Sequence, residues 1–181
     1  MSKRWFGGVL IFLIVLFCVG FAVFSSRARR SKELRPASSS SSKSLIDKPL
    51  PPAQLVDANG AKVDEQLLRN GRVIIVFVTT DCDACLAEGR FLQSIPGKRN
   101  DVAFYGVNPF GRRPESAGVA EKVFPFKVFY DDGNSFVQSM GINRVPVKVF
   151  LEDGIIKKGW IGAALTDQSK KSFLDWFDSL P

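Results

Sequence analysis

The chain has 181 residues, enough for one ordinary globular domain and an appendage. Its formal net charge of +7 would suit a nucleic-acid partner, but residues 1–32 carry six basic side chains and no acidic one. From Asp47 onward, 17 Lys and Arg balance 17 Asp and Glu, so the part that can fold lacks the basic footprint that phosphates require. The composition therefore argues against nucleic-acid binding.

The N-terminal segment predicts a membrane anchor. Twenty uncharged residues run from Trp5 to Phe24, and at 1.5 Å per residue they would span a hydrocarbon core of about 30 Å. The alternative is a cleaved signal peptide, whose apolar region is usually shorter, about 7–15 residues. We predict a retained transmembrane anchor over 1–26, with Cys18 as an apolar filler, then a Ser-rich flexible linker over 27–45.

The remaining residues, 46–181, predict one domain in which strands and helices alternate. A continuous apolar run at 72–80 predicts a strand buried on both faces, and the segment after it has the apolar pattern of a helix that ends at Pro96 and Gly97. The later predicted elements are a strand at 101–110, a helix at 114–124, a strand ending in a turn at 126–133, helical turns at 135–141, a hairpin at 147–162 turning at Glu152-Asp153-Gly154, and an amphipathic helix at 166–180 presenting Phe173, Leu174, Phe177 and Leu180. This order indicates an α/β fold, a mixed sheet with helices on both faces.

The segment "TTDCDACLAE" holds two of the three cysteines, Cys82 and Cys85. Structural zinc usually needs four Cys or His ligands, and this chain has one Cys pair, no histidine and a third thiol in the apolar segment. We therefore predict no metal site and no cofactor, and the absence of histidine also excludes Ser-His-Asp and Cys-His catalysis.

A strand followed by Cys-x-x-Cys and a helix predicts a redox dithiol. The unpaired N–H groups and the dipole at a helix N-terminus stabilise a thiolate there. Cys82 would be the outer, attacking thiol and Cys85 the shielded, resolving one. The alternative is that both cysteines are small buried apolar fillers.

The chain resembles membrane-tethered thioredoxins of the TlpA/ResA class, and most closely the DsbE/CcmG-type thioredoxins of cytochrome c maturation. The segments that carry the resemblance are the apolar N-terminus, "LIDKPLP", "VIIVFVTTDCDACLAE", "YGVN" and "GINRVPVKVFLEDGIIKKGWIG". The resemblance implies a thioredoxin-like fold, thiol:disulfide oxidoreductase activity, and attachment to the bacterial inner membrane by a single pass with the soluble domain in the periplasm. The basic residues after the apolar segment would instead favour a cytoplasmic domain; we follow the resemblance.

The resemblance also assigns site residues. Pro146 would be the cis-proline facing the dithiol, where a substrate backbone docks beside Val145; an ordinary edge-strand proline is the alternative. Glu88, three residues after Cys85, lies on the same helix face and would relay a proton, unless it is an ordinary solvated glutamate. This chain departs from the family at Asp81, where tryptophan is usual, and from cytosolic thioredoxins at Val76, where they have a buried acid.

The charges beside the first thiol indicate the direction of electron flow. Asp81 and Asp83 would tune Cys82 by disfavouring its thiolate, which destabilises the reduced form and lowers the reduction potential. We therefore predict a reductase of disulfide-containing substrate proteins such as apocytochrome c, recharged by a membrane thiol electron donor of the DsbD/CcdA kind.

Two rival functions stay open. Thr79 stands three residues before Cys82, as in the Thr-x-x-Cys of peroxiredoxins, and this favours a thiol peroxidase. The missing tryptophan favours a redox-inert thioredoxin-fold module for binding or assembly.

Overall fold

The structure is a computed structural model that describes residues 45–95, 99–111 and 114–181, the last range with side chains from residue 118 onward. Five strands in these residues form one sheet. They are β1 (Arg72–Phe77), β2 (Val102–Asn108), β3 (Lys127–Tyr130), β4 (Val147–Glu152) and β5 (Ile155–Ile161). Their order across the sheet is β3-β2-β1-β4-β5. β1, β2 and β3 run parallel, whereas β4 and β5 are antiparallel to their neighbours, so the predicted mixed sheet is confirmed.

Helices cover both faces of this sheet, as the sequence predicted. In chain order the helices of the described ranges are α1 (Gln66–Arg69), α2 (Asp83–Gln93), α3 (Pro114–Val123), α4 (Ser135–Ser139) and α5 (Asp167–Asp178). Buried residues of α2, α3 and α5 belong to one apolar cluster, and those of α1 and α4 to a second cluster on the opposite face.

The central strand β1 explains why its sequence shows no polar alternation. Ile74 and Val76 point into the cluster beneath α2 and α5, while Val73, Ile75 and Phe77 point into the cluster beneath α1 and α4. All five are 1% exposed or less. Because side chains alternate along a strand, only a strand buried on both faces needs an unbroken apolar run. The strand ends at Phe77 rather than residue 80, since the chain then turns into the cysteine segment.

The hairpin and the C-terminal helix also follow the predicted pattern. β4 and β5 are joined by Asp153 and Gly154, whose φ angles of 48° and 74° lie in the left-handed region that a tight hairpin turn requires. In α5, Phe173 and Phe177 are buried, and Trp160 on β5 lies 5.1 Å from the Phe173 ring between centroids. Each such buried aromatic contributes about 1.5–3 kcal/mol, which fixes α5 against the face that also carries α2.

Some predictions differ from the structure or fall outside it. The short helix α1 was not predicted. The segment predicted at 126–133 as a strand ending in a turn contains β3, which ends at Tyr130, and a turn at residues 132–133. The predicted helix stop at Pro96 and Gly97, the anchor over 1–26 and nearly all of the linker over 27–45 lie outside the described residues. Within the described ranges, no helix is long and apolar enough to cross a membrane.

Candidate active site

The two cysteines lie where β1 gives way to α2. Cys82 is the N-cap of the helix, with extended backbone angles (φ −116°, ψ 109°), and its Sγ accepts a hydrogen bond from the Cys85 N–H at 3.2 Å. Both cysteines are free thiols; Cys82 is partly exposed, whereas Cys85 is fully buried. This is the predicted arrangement of one accessible and one shielded thiol at a helix N-terminus, where N–H groups favour negative charge.

The environment of Cys85 keeps its thiol protonated. Its pKa is raised to about 12, chiefly because burial disfavours the charged thiolate, and further because of the hydrogen bond and charge of the neighbouring Cys82 sulfur. Hydrogen bonds from the backbone and hydroxyl of Thr79 oppose this rise. Thr79 is itself buried, and its hydrogen bonds act on Cys85, the second cysteine of the pair.

The two aspartates lie where the sequence placed them. Asp83 is the first residue of α2 and Asp81 immediately precedes the cap, and both side chains are exposed. Exposed charges act through water, so any effect on Cys82 is screened by salt. The predicted tuning of Cys82 by Asp81 and Asp83 stays a prediction.

Pro146 and the dithiol lie at the same end of the strands, where β1 ends and β4 begins. The Val145–Pro146 peptide bond is cis, as the resemblance implied. The next residue, Val147, pairs with Phe77 at the end of β1, which is the end that leads to Cys82. β4 pairs with strands on both sides, so the alternative of an ordinary edge-strand proline is wrong. Val145 is partly buried and packs, as Cys82 does, against the cluster beneath α2 and α5; its docking role stays a prediction.

Glu88 is fully buried, and the alternative that it is a solvated helix residue is therefore wrong. Its Oε1 lies 2.7 Å from Nζ of Lys148 on β4, and its Oε2 accepts a hydrogen bond of 2.6 Å from the Ala164 N–H. The contact with Lys148 is ionic, and among the described residues Oε1 has no geometrically regular hydrogen-bond partner. This buried carboxylate, held by Lys148 and by the Ala164 N–H, belongs to a residue one helical turn after Cys85.

Lys148 is the residue that the sequence reasoning missed. It is 2% exposed, and its ammonium also lies 5.6 Å from the centre of the Phe173 ring. The signal was present: a lysine between Val147 and Val149 interrupts the apolar run that forms most of this strand. Lysine is almost never fully buried unless it is paired, so this interruption pointed to a buried acid.

A family model described as Redoxin matches residues 45–172 of the sequence. The chain belongs to the Redoxin family. This match covers nearly all of the described residues, including Cys82, Cys85 and Pro146. Among the curated proteins, none matches the sequence.

Solved structures share the fold. A protein from Chlorobium tepidum assigned as a thiol:disulfide interchange protein DsbE aligns over 74% of this chain and 97% of its own, with a TM-score of 0.62 and 14% identity. A secreted disulfide oxidoreductase of Mycobacterium tuberculosis, homologous to DsbE of Escherichia coli, aligns over 70% and 94%, with a TM-score of 0.56 and 20% identity. A protein from Bacteroides thetaiotaomicron assigned as a disulfide isomerase aligns over 74% and 87%, with a TM-score of 0.59 and 17% identity.

The resemblance found in the sequence is thereby confirmed for the family and the fold. At identities of 14–20%, the solved structures show the fold alone, which is thioredoxin-like. The Redoxin family model shows the relationship from the sequence itself. With Cys82 and Cys85 in the Cys-x-x-Cys spacing, this member of the Redoxin family is a thioredoxin-like thiol:disulfide oxidoreductase.

Proposed function

We propose that the protein is a disulfide reductase, in which Cys82 attacks a disulfide of a substrate protein and Cys85 resolves the product. The observation that carries the proposal is the pair itself: a partly exposed thiol caps the helix above a fully buried thiol whose pKa is about 12. One sulfur is accessible to a large substrate, and the other can be reached only from within the protein.

The reaction proceeds in two exchanges. The Cys82 thiolate attacks one substrate sulfur, a mixed disulfide forms, and the second substrate sulfur leaves with the electron pair of the broken bond. Cys85, once deprotonated, then attacks the Cys82 sulfur, and the first substrate sulfur leaves as a thiolate that takes a proton. The substrate gains two electrons and two protons, and the protein is left with a Cys82–Cys85 disulfide.

The buried thiol becomes easier to deprotonate at the step that needs it. Two of the causes that raise the pKa of Cys85 come from the Cys82 sulfur, through its hydrogen bond and its charge. In the mixed disulfide the Cys82 sulfur is uncharged and bonded to the substrate, so the charge is removed and the hydrogen bond is weakened. The pKa of Cys85 therefore falls after the first exchange, and the thiol stays inert before it.

Glu88 is the group that we assign as the proton relay. It follows Cys85 by three residues on α2, and its carboxylate is buried, with Oε1 against the Lys148 ammonium and Oε2 accepting from the Ala164 N–H. A buried base near the thiol is useful because water has little access to Cys85, which is fully buried.

The direction of transfer and the partners complete the proposal. Asp81 and Asp83 place negative charge beside Cys82, which supports a low reduction potential and hence a reductase. The apolar segment from Trp5 to Phe24 supports a single-pass anchor. The family resemblance supports the bacterial inner membrane as its location, with the domain in the periplasm. The resemblance to DsbE/CcmG-type thioredoxins supports substrates such as apocytochrome c and a membrane thiol donor of the DsbD/CcdA kind, and two structures that share the fold carry DsbE in their names.

A stoichiometric assay tests this function. The pre-reduced full-length chain, carrying Cys18→Ala so that two thiols remain, is mixed with a peptide whose Cys-x-x-Cys segment is oxidised. We expect the peptide to become a dithiol while Cys82 and Cys85 become a disulfide, and the Cys82→Ser variant to leave the peptide oxidised. Hydrogen peroxide is offered in parallel; consumption of peroxide in preference to the peptide disulfide would make the protein a peroxidase instead.

A further inference from the structure

A groove open to solvent lies between α2, the helix that carries the dithiol, and α5. We call it the α2–α5 groove; its volume is about 580 Å³. Its apolar lining includes Phe91, Ala164, Leu165 and Leu174, and its cations are Arg90 and Lys170. Phe91 and Ala164 are buried, whereas Leu165 is 62% exposed. The groove therefore has an apolar floor and an exposed apolar rim.

The cations of the α2–α5 groove have no acidic partner among the described residues. Elsewhere in the described ranges basic side chains form ion pairs, as Arg72 does with Asp101 and Glu152. Arg90 and Lys170 form no ion pair and no side-chain hydrogen bond with the described residues, and no acidic side chain of those residues lines the groove. A surface that combines apolar side chains with unneutralised positive charge is complementary to an apolar ligand that carries negative charge.

A second groove in the described part of the chain lacks this free charge. It has a volume of about 290 Å³, and its lining includes Phe104, Phe126 and Arg99. The Arg99 guanidinium donates hydrogen bonds to both carboxylate oxygens of Asp101, at 2.9 and 2.8 Å. Because the charge of Arg99 is neutralised within the protein, only the α2–α5 groove of these two offers free cations to a ligand.

The segment 162–165 connects the α2–α5 groove to the dithiol site. At one end of this segment, the Gly162 N–H donates a hydrogen bond of 2.8 Å to the carbonyl of Pro146. Near its other end, the Ala164 N–H is bonded to Glu88 on the helix that carries the thiols. The rim of the groove is therefore fixed relative to both elements that form the site.

The groove is within reach of a substrate whose disulfide meets Cys82. Arg90 follows Cys82 by eight residues, which is about 12 Å along the axis of α2. An extended peptide covers this distance in about four residues, since each residue adds about 3.3 Å. One polypeptide can therefore meet the dithiol and occupy the groove at the same time.

We propose that the α2–α5 groove is a substrate-binding exosite: it binds a segment of the substrate protein that carries apolar and acidic side chains about four residues or more from the disulfide. The apolar side chains of this segment contact Phe91, Leu165 and Leu174. Its carboxylates pair with Arg90 and Lys170. This inference rests on the proposed reductase function and names a class of substrate for it. No bond is made or broken in the groove, so the balance of the two exchanges is unchanged.

The test compares three oxidised peptides that differ only in one tail. Each holds a Cys-x-x-Cys disulfide, a spacer of about four Ser and Gly residues, and a tail that is acidic (Leu-Asp-Leu-Glu), basic (Leu-Lys-Leu-Lys) or neutral (Ser-Gly-Ser-Gly). The tail is placed before the cysteine pair in one set and after it in another. The pre-reduced full-length chain with Cys18→Ala is mixed with each peptide, and the second-order rate constant of peptide reduction is measured.

We expect the acidic tail to raise this rate constant about tenfold over the neutral tail, in at least one of the two sets. Two exposed ion pairs contribute up to about fivefold each, and the leucines add apolar contact. At about 1 M NaCl the Debye length is about 3 Å, so most of the preference should disappear.

Substitutions in the groove decide whether it causes the preference. Arg90→Gln/Lys170→Gln should reduce the ratio of the acidic-tail rate to the neutral-tail rate from about ten to about two. Arg90→Glu/Lys170→Glu should make the basic tail the faster one. The matched control is Lys122→Gln/Lys171→Gln, which removes the same charge from α3 and α5 outside the groove and should keep the ratio. Because ratios are compared, any general effect of a variant on the dithiol cancels.

The inference is overturned if the acidic and neutral peptides are reduced at the same rate, or if the preference survives in Arg90→Gln/Lys170→Gln. It is also overturned if the groove has another occupant. A dimer of the detergent-solubilised chain that this variant dissociates would assign the groove to a second copy. A preference present in phosphatidylcholine nanodiscs and lost in phosphatidylglycerol nanodiscs would assign it to an anionic membrane surface. Equal rates refute the groove alone, whereas reduction of no peptide refutes the reductase function and this inference with it.

Discussion

The contrast between the two thiols makes a quantitative prediction about alkylation at pH 7. With a pKa of about 12, Cys85 is a thiolate in only about one molecule in 10⁵ at that pH. An ordinary exposed thiol with a pKa of about 8.5 is about 3% thiolate, so protonation alone slows Cys85 on the order of 10³-fold. Burial slows it further, because Cys85 has no exposed surface. In the folded protein we therefore expect iodoacetamide to modify Cys85 on the order of 1,000 times more slowly than an ordinary exposed thiol, and to modify the partly exposed Cys82 before the buried Cys85.

Replacing Cys82 tests the cause of this protection. Cys82→Ala removes the hydrogen bond and the charge that its sulfur contributes, so the pKa of Cys85 should fall. It should stay above the ordinary value, because burial is the largest cause and is unchanged. Alkylation rates measured by peptide mass spectrometry across pH 6–10 report both effects, and the peptide that carries Cys18 is quantified separately.

The control is the same chain in guanidinium chloride, where both thiols should react at similar rates. If Cys85 in the folded protein were modified within tenfold of the rate of Cys82, the shielding argument and the order of the two exchanges would be wrong. If Cys82→Ala left the pKa of Cys85 unchanged, the proposed activation of Cys85 in the mixed disulfide would be wrong.

Two further predictions concern stability, measured by urea unfolding. Phe173→Ala should lower the free energy of unfolding by about 3–5 kcal/mol, because the ring is buried among other aromatic rings. Leu165→Ala, at a position that is 62% exposed, should change it by no more than about 0.5 kcal/mol. Equal effects of the two substitutions would contradict the assigned core. Gly106→Ala should lower the free energy of unfolding by about 1–3 kcal/mol, because the added methyl would lie 2.9 Å from Cε2 of Phe126. Gly118→Ala, whose methyl would have no neighbouring atom within 4 Å, should raise it by about 0.4–1 kcal/mol. A neutral Gly106→Ala would show that β2 and β3 are packed less closely at this position.

The features that the sequence predicted well are those that depend on local pattern. The run at 72–80 is apolar without alternation because both of its faces are covered, and that pattern is visible in the sequence alone. The hairpin depends on Asp153 and Gly154, which favour the left-handed backbone. The spacing of Cys82 and Cys85 before a helix predicted one accessible thiol and one shielded thiol.

The features that the sequence did not predict depend on contacts between distant residues. The helix face of Glu88 follows from its spacing after Cys85, but its burial depends on the loop of Ala164 and on β4, both far along the chain. Lys148 has a buried partner sixty residues earlier, and the apolar run around the lysine indicates a buried acid without identifying which one. α1 is a single turn of four residues, too short to leave a periodic pattern.

The central claim, that the protein is a reductant, is tested most directly by the reduction potential of its dithiol. The full-length chain with Cys18→Ala is equilibrated with glutathione or thioredoxin buffers, and the fraction of Cys82–Cys85 disulfide is measured, with Cys82→Ser as the control that forms none. We predict a potential at or below that of thioredoxin, about −270 mV. A potential near that of DsbA, about −120 mV, would mean that the protein is an oxidant and that Asp81 and Asp83 do not set the direction of electron transfer.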